Sequence, residues 1–255
     1  KSFELIEGDI RDIEILNNIF TNNAISAVIH FAGLKAIEES EKYPLKYYEN
    51  NVFGSVNLFK AMINHNIKTI IFSSSATVYG ESGYSIFKEN TPTNPVNVYG
   101  RNKLIIENIL NNLKKSDKEW RIAILRYFNP IGAHQSGLIG ENPDGIPNNL
   151  MPFISQVAIG KREKLKVFGG DYDTLDGTGR RDYIHVEDLA LGHLAALNHL
   201  IKEKTPLILH LNLGTGFSTS VLELIKCFEK VSSKKIKYEI VDRRSGDIAE
   251  SLADP

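Results

Sequence analysis

Apolar positions along this chain alternate between two textures. Short, mainly apolar runs occur at Phe3–Glu7, Ala27–Phe31, Thr69–Phe72 and Ile122–Arg126. Such runs predict strands covered on both faces. Between them, apolar residues recur at helical spacing over Asp12–Phe20, Tyr47–His65 and Asn102–Lys114. Strands and helices in alternation predict an α/β fold, a doubly wound parallel sheet. In such a sheet ligands sit outside the carboxyl ends of the strands. After Phe128-Asn129-Pro130 the periodicity fades. Residues 132–152 are rich in Gly, Pro and Asn and predict a loop-rich region beside the sheet. Further on, Leu207–Leu213 and Ile236–Val241 predict strands and Ser220–Val231 a helix. The pattern divides the chain into a sheet domain at 1–130 and a smaller, substrate-binding region at 131–255.

Composition narrows the class. The 255 residues are 42% hydrophobic and 24% charged, with a net charge of -1. This balance is that of a globular protein without the basic face that nucleic-acid binding needs. No apolar run is long enough for a membrane span, and no signal peptide is visible. The single cysteine, Cys227, precludes an internal disulfide and fits a reducing, cytoplasmic setting. Its place in Leu224-Ile225-Lys226-Cys227-Phe228 predicts a core residue. No metal ligand set is expected.

The chemistry gathers after the third strand. "SSSATVYG", Ser73–Gly80, ends an apolar strand in three hydroxyls, where a turn or cap residue would normally suffice. Downstream, "VYGRNK" places Tyr99 and Lys103 four residues apart, on one face of a helix that runs from Gly100 onward. An ammonium held near a phenol favours the phenolate and lowers its ordinary pKa of ~10. That makes Tyr99 a candidate base, with Ser75 placed to bridge it to a substrate oxygen. A tyrosine and lysine at this spacing are common by chance on solvated helices. The serines and the α/β context are what give the pair weight.

Tyr-x-x-x-Lys with an upstream serine resembles the short-chain dehydrogenase/reductase superfamily. "EGDIRD", "VIHFAGLKAIEES", "YYENNVFGSVNL", "FSSSATVYGE", "LRYFNPIGAH", "GIPNNLMP", "DGTGRRDYIHVEDLA" and "RRSGD" carry the resemblance further. They look like the UDP-glucose 4-epimerase family, within the extended branch of that superfamily, over nearly the whole chain. The resemblance implies a Rossmann-type NAD-binding domain and a smaller UDP-sugar-binding region, with a segment at about 181–215 expected to return to the first domain. It implies NAD as cofactor, a UDP-sugar as substrate, and a homodimer built on the helices around Tyr47–His65 and Lys103.

By the same resemblance, Tyr99, Lys103 and Ser75 are catalytic. Tyr99 takes the proton of the sugar 4-hydroxyl, Lys103 holds the nicotinamide ribose, and Ser75 orients the 4-oxygen. For the cofactor, Asp9 and Ile10 flank the adenine. Phe31, Ala32, Gly33 and Lys35 line the pyrophosphate and ribose. Asn50, Ser73, Tyr127 and Phe128 complete the nicotinamide end. For the substrate, Asn129, Asn149 and Leu150 meet the phosphates and uridine. Phe168 lies near the uracil, while Arg181, Arg244 and Asp247 hold the diphosphate and ribose. Ser251 stands where a small side chain leaves room for an N-acetyl group, so UDP-N-acetylglucosamine is expected as a second substrate.

Structural alternatives stand beside several of these. Asp9 also suits a strand-end turn, Phe168 a core anchor, Arg244 a surface charge, and Asp182 an ion pair with Arg181. His185 reads as structural. Gly214 and Gly216 read as a strand-to-helix turn, with Ser218 or Thr219 near the helix cap. The superfamily's Gly-rich first βα unit and its following strand have no counterpart in the chain, and its end falls before the family's last helices. The chain is therefore expected to be an internal fragment, poorly stable alone and weak in NAD binding. A nucleotide-sugar dehydratase would need a carboxylate just after Ser75, where Ala76-Thr77-Val78 follow. A non-catalytic nucleotide sensor would lose Tyr99 or Lys103, and both are present.

Overall fold

The carboxylate of Asp12 accepts the backbone N–H groups of Glu14 and Ile15, and this cap starts the first helix. The computed structural model describes residues 3–81, 83–143, 145–203, 205–244 and 247–255. In chain order its elements begin with α1 (Ile13–Asn22), β1 (Val28–His30), α2 (Ile37–Lys42), α3 (Pro44–Tyr47), a π-helical segment (Tyr48–Phe53) and α4 (Gly54–Asn64). Then come β2 (Thr69–Ser73), a 3-10 turn (Ala76–Val78), β3 (Ile86–Phe87), α5 (Val98–Ser116), β4 (Arg121–Tyr127) and β5 (Asn129–Ile131). The remainder is α6 (Leu150–Ala158), β6 (Leu165–Phe168), β7 (Arg180–His185), α7 (Val186–Lys202) and β8 (Ile208–Leu213). β9 (Ser218–Ser220), α8 (Val221–Ser232), β10 (Tyr238–Val241) and β11 (Glu250–Ala253) close it. No helix among the described residues is long and apolar enough to cross a membrane.

The elements form two compact units. The first comprises Lys1–Gly80, Thr93–Arg126 and His193–Leu211. Its sheet has the order β1-β2-β4-β8, with parallel registers Ile29↔Ile71 and Ile71↔Ala123. Ile70, Phe72, Ile122 and Ile124 are fully buried, as strands apolar at every position require. Leu16 and Phe20 of α1, Phe59 and Met62 of α4, and Ile106 and Leu110 of α5 pack with them. This is the mixed α/β, parallel-sheet architecture that the periodicity predicts.

Two expectations for this unit need correction. Residues 3–7 form no strand, and Phe3 and Leu5 lie open to solvent. A strand is held by its ladder, and no described strand pairs with this run. The helix expected at Tyr47–His65 starts earlier, at Pro44, and is interrupted by the π segment. That segment turns Asn51 inward, where its side chain accepts the N–H of Leu34 at 2.7 Å and donates to its carbonyl at 2.9 Å.

The second unit comprises Glu81–Pro92, Tyr127–Gly192 and Asn212–Pro255. It holds a sheet of order β3-β11-β7-β5, with β9 antiparallel on β7, and a separate parallel pair, β6 and β10. Ile154 and Val157 of α6, Leu165 and Val167 of β6, Ile225 of α8 and Ile236 form its core. Ser220 caps α8 in a reciprocal box with Glu223, whereas Ser218 and Thr219 lie in β9, so the cap falls one residue beyond the expected pair. Cys227 is exposed and is not a core residue. Helical geometry sends Ile225 inward, and a residue two positions later points to the other side.

Candidate active site

Each serine at the end of β2 has a separate task. The carbonyl of Ser73 accepts a hydrogen bond from Lys103 Nζ at 2.7 Å, and its hydroxyl pairs with His193 Nε2 at 2.7 Å. Ser74 Oγ donates to Glu107 Oε1 at 2.5 Å. Glu107 is in turn paired with Arg126 at 2.7 Å, and Arg126 Nη1 donates to the Tyr79 hydroxyl at 3.2 Å. Ser75 caps the 3-10 turn. Its oxygen accepts both the N–H of Thr77, at 3.2 Å, and the Thr77 hydroxyl, at 2.9 Å. With both lone pairs of Ser75 engaged, its own proton is the part left to give.

Helix α5 begins at Val98, ahead of both the Asn102 of the periodic run and the Gly100 expected for the Tyr99–Lys103 face, because Asn97 Oδ1 accepts the N–H of Gly100. Tyr99 and Lys103 are therefore both helical and share a face. A side chain at Gly100 would stand 2.9 Å from the Thr77 carbonyl oxygen. Glycine is thus what lets α5 close on the turn that carries Ser75. Lys103 Nζ lies 5.8 Å from the centre of the Tyr99 ring and 4.9 Å from that of Phe72. Burial pulls the lysine down to about 8, and Glu107, one turn on, opposes that shift.

The other first-unit candidates lie around this group or apart from it. Gly33 follows β1, and a side chain there would approach Asn51 Oδ1 at 3.4 Å and Lys103 Nζ at 3.9 Å. Asn50 donates to Asn51 at 3.0 Å. Phe31 is exposed, its ring 4.8 Å from that of His193, and Ala32 and Lys35 are exposed beside it. Ile10 packs against Gly54, where a β-carbon would clash at 2.6 Å. Asp9 forms a turn and a bidentate pair with Arg11, whose bonds hold the carboxyl below its ordinary value. Phe128 belongs to the second unit, buried 6.4 Å from the Phe87 ring.

Those residues suit a dinucleotide. An ammonium has three donors and Lys103 gives one to Ser73, leaving two for a ribose. An exposed aromatic ring, Phe31, and a side-chain-free approach at Gly33 stand at the end of the same parallel sheet.

The second unit contains a cavity of about 320 Å³. Asn129, Asn149, Leu150, Phe168, Arg181, Arg244 and Asp247 all line it. Asp247 lies between the two arginines, 2.9 Å from Arg244 Nε and 3.6 Å from Arg181 Nη2. The Arg244 guanidinium sits 4.9 Å over the Phe168 ring. Phe168 is therefore a wall residue, not a core anchor. Asn149 donates to Glu141. Ser251 is half-buried on β11 in register with Arg181, outside the cavity wall.

Asp182 does not pair with Arg181. It is fully buried and accepts from the Thr215 N–H and hydroxyl, the Gly216 N–H and the Ala253 N–H at 2.7–3.2 Å. That cage makes Gly214–Gly216 a turn, with Gly216 at φ +74°. His185 accepts the N–H of Glu187 at 3.2 Å, and its ring fills the space beside Gly132.

Reasoning from sequence missed His193, Glu107, Arg126, Asn51 and Tyr172. Arg126 had a signal, a charge ending an unbroken apolar strand. Glu107 had another, its i+4 spacing from Lys103. His193 had none, because 120 residues separate it from Ser73.

Comparison with known proteins bears on the whole chain. Residues 1–214 match the model of the NAD dependent epimerase/dehydratase family. The chain is 54% identical over 255 residues to the UDP-glucose 4-epimerase of Bacillus subtilis (strain 168), covering 100% of this chain and 75% of that protein. It is similar to the crystal structure of the UDP-glucose 4-epimerase of Bifidobacterium longum in complex with NAD+ and UDP, with a TM-score of 0.92 and 50% identity, over 98% of this chain and 74% of that one. A Stenotrophomonas maltophila UDP-glucose-4-epimerase with bound NAD and formylated UDP-arabinopyranose superposes with a TM-score of 0.94 at 48% identity, covering 98% and 74%.

Proposed function

The chain belongs to the NAD dependent epimerase/dehydratase family, and from that membership and its own residues we infer that it is a UDP-glucose 4-epimerase, an isomerase that interconverts UDP-galactose and UDP-glucose. The observation that carries the reading is Lys103, buried one helical turn from Tyr99 at the strand end where Ser75 keeps a proton to donate. NAD would be held by Lys103 and by the groups beside Gly33 and Phe31, and would supply reversible hydride acceptance at the sugar carbon.

The chain's own residues do the rest. Tyr99 removes the proton of the sugar 4-hydroxyl and later returns it. Lys103 supports the phenolate by its charge and holds the cofactor ribose with its two remaining donors. Ser75 donates to the 4-oxygen, because Thr77 already fills its acceptor sites. In the second unit Arg181 and Arg244 bind the diphosphate, since a guanidinium fork can meet two oxygens at once. Asp247 aligns both forks. Firm nucleotide binding leaves the sugar free to present either face, which inversion requires.

The protein acts as a homodimer in the cytoplasm in this reading. An apolar groove on the first unit, formed by Leu45, Tyr48, Val52, Phe53 and Val56, supports a second copy as partner. Leu45 is 81% exposed and Phe53 50%.

The test is conversion of UDP-galactose to UDP-glucose. Tyr99→Phe is expected to lower kcat about 10²–10⁴-fold, the usual worth of a positioned acid–base group, with UDP affinity unchanged. Equal turnover by wild type and Tyr99→Phe would remove the tyrosine from the chemistry.

A further inference from the structure

Resting on the reading of the second-unit cavity as a UDP site, we propose that Tyr172 is a further ligand of the nucleoside diphosphate, donating its phenolic proton to an oxygen of that ligand. Tyr172 lines the cavity and is 6% exposed, yet its hydroxyl has no hydrogen-bond partner among the described residues. A buried hydroxyl without a partner is costly, and native structures seldom carry one without a reason.

The ring that carries this hydroxyl is locked from several sides. The Arg243 guanidinium covers it at 4.1 Å. Arg243 is itself fixed, its Nε donating to the Asp171 carboxylate at 2.7 Å and its Nη2 to the Asp171 carbonyl. Beneath the ring is Gly169, at φ +80°, where a β-carbon would meet Tyr172 Cε2 at 2.4 Å. The Tyr172 backbone is tied on both sides, its N–H to Gly177 and its carbonyl to Thr174. The loop thus holds one aromatic ring rigidly and leaves its polar end unused.

The surroundings define the ligand chemistry. Burial raises the pKa of the phenol, so it is a protonated donor at neutral pH. The charges of Asp247, Arg181, Arg243 and Arg244 all act on it, which places it among the groups assigned to the diphosphate and ribose. It makes no bond to Asp247, so its donor remains for an incoming oxygen. A rigid donor of this kind adds affinity without ordering cost.

Titration calorimetry of UDP, UMP and uridine against wild type and Tyr172→Phe tests this, together with melting of both proteins without ligand. The expected result is UDP affinity about tenfold weaker in Tyr172→Phe, typical of one hydrogen bond to a charged or polar ligand group. The unliganded variant should melt at the wild-type temperature or above, since it loses an unsatisfied hydroxyl. If the loss persists with uridine, the acceptor is on the nucleoside. If it appears only with UMP or UDP, the acceptor is a phosphate oxygen. Unchanged UDP affinity overturns the assignment and leaves the cavity reading intact. A lower unliganded melting temperature also overturns it, because the hydroxyl would then be serving the fold. Absence of UDP binding by wild type would overturn both.

Discussion

Lys103 is a buried ammonium with one protein acceptor, and the fold bears a cost for it. Burial lowers its pKa to about 8 from its ordinary value of 10.5. The unfolded chain keeps that proton up to about 10.5, while the folded chain releases it above about 8. The unfolded state therefore binds more protons across that window, and wild-type stability rises with pH through it. Lys103→Met should be more stable than wild type at pH 7, by up to about 3 kcal/mol, with the difference closing towards pH 10.5. Thermal unfolding from pH 6 to 10.5 measures this. A variant less stable than wild type at every pH would show that the Ser73 contact outweighs the desolvation. The same variant is expected to lose epimerase activity, so the residue that costs stability is the one that does chemistry.

At the scale of elements, the Glu107–Arg126 pair joins α5 to β4, and Ser74 brings β2 into the same bond network. Both side chains are almost wholly buried, so each charge depends on the other. Glu107→Gln is expected to cost about 3–5 kcal/mol, because it leaves a buried guanidinium uncompensated. The double variant Glu107→Leu with Arg126→Met should recover much of that loss. Urea unfolding decides the matter, and a Glu107→Gln protein within 1 kcal/mol of wild type (a scale set by ordinary substitutions) would sink it. The elements themselves were unevenly legible. β2 and β4 were plain from sequence because their central residues, Ile70–Phe72 and Ile122–Leu125, are all apolar, and the covered faces of a parallel sheet require that. β7 was not, because Asp182 points inward where a strand pattern needs a hydrophobe. Its acceptors are satisfied by the distant Thr215, Gly216 and Ala253. Residues 3–7 had the right pattern but lacked the neighbouring ladder that would make it a strand.

For the whole molecule, the exposed groove of Leu45, Tyr48, Val52, Phe53 and Val56 is the feature that a second copy would cover. Phe53→Glu should convert a dimer to monomers by sedimentation, with the secondary structure retained, because a buried charge without a partner blocks the interface. A dimer unaffected by Phe53→Glu would place the interface elsewhere. The residues of the cavity followed from the family resemblance alone, whereas the chain itself determined the α/β class, the serine-ended strand and the Tyr99–Lys103 spacing. Each is set by local periodicity or by a short motif, and such patterns depend on neighbours within a few residues. Tertiary structure decided the rest: His193 on Ser73, Asn51 turned inward by a π segment, Asp182 caged by a turn, Cys227 left outside, and the unsatisfied hydroxyl of Tyr172. These depend on which distant groups fold to within 3 Å of one another, and on which buried donor finds no partner there. A sequence pattern records what each residue can offer, and only packing settles what it meets.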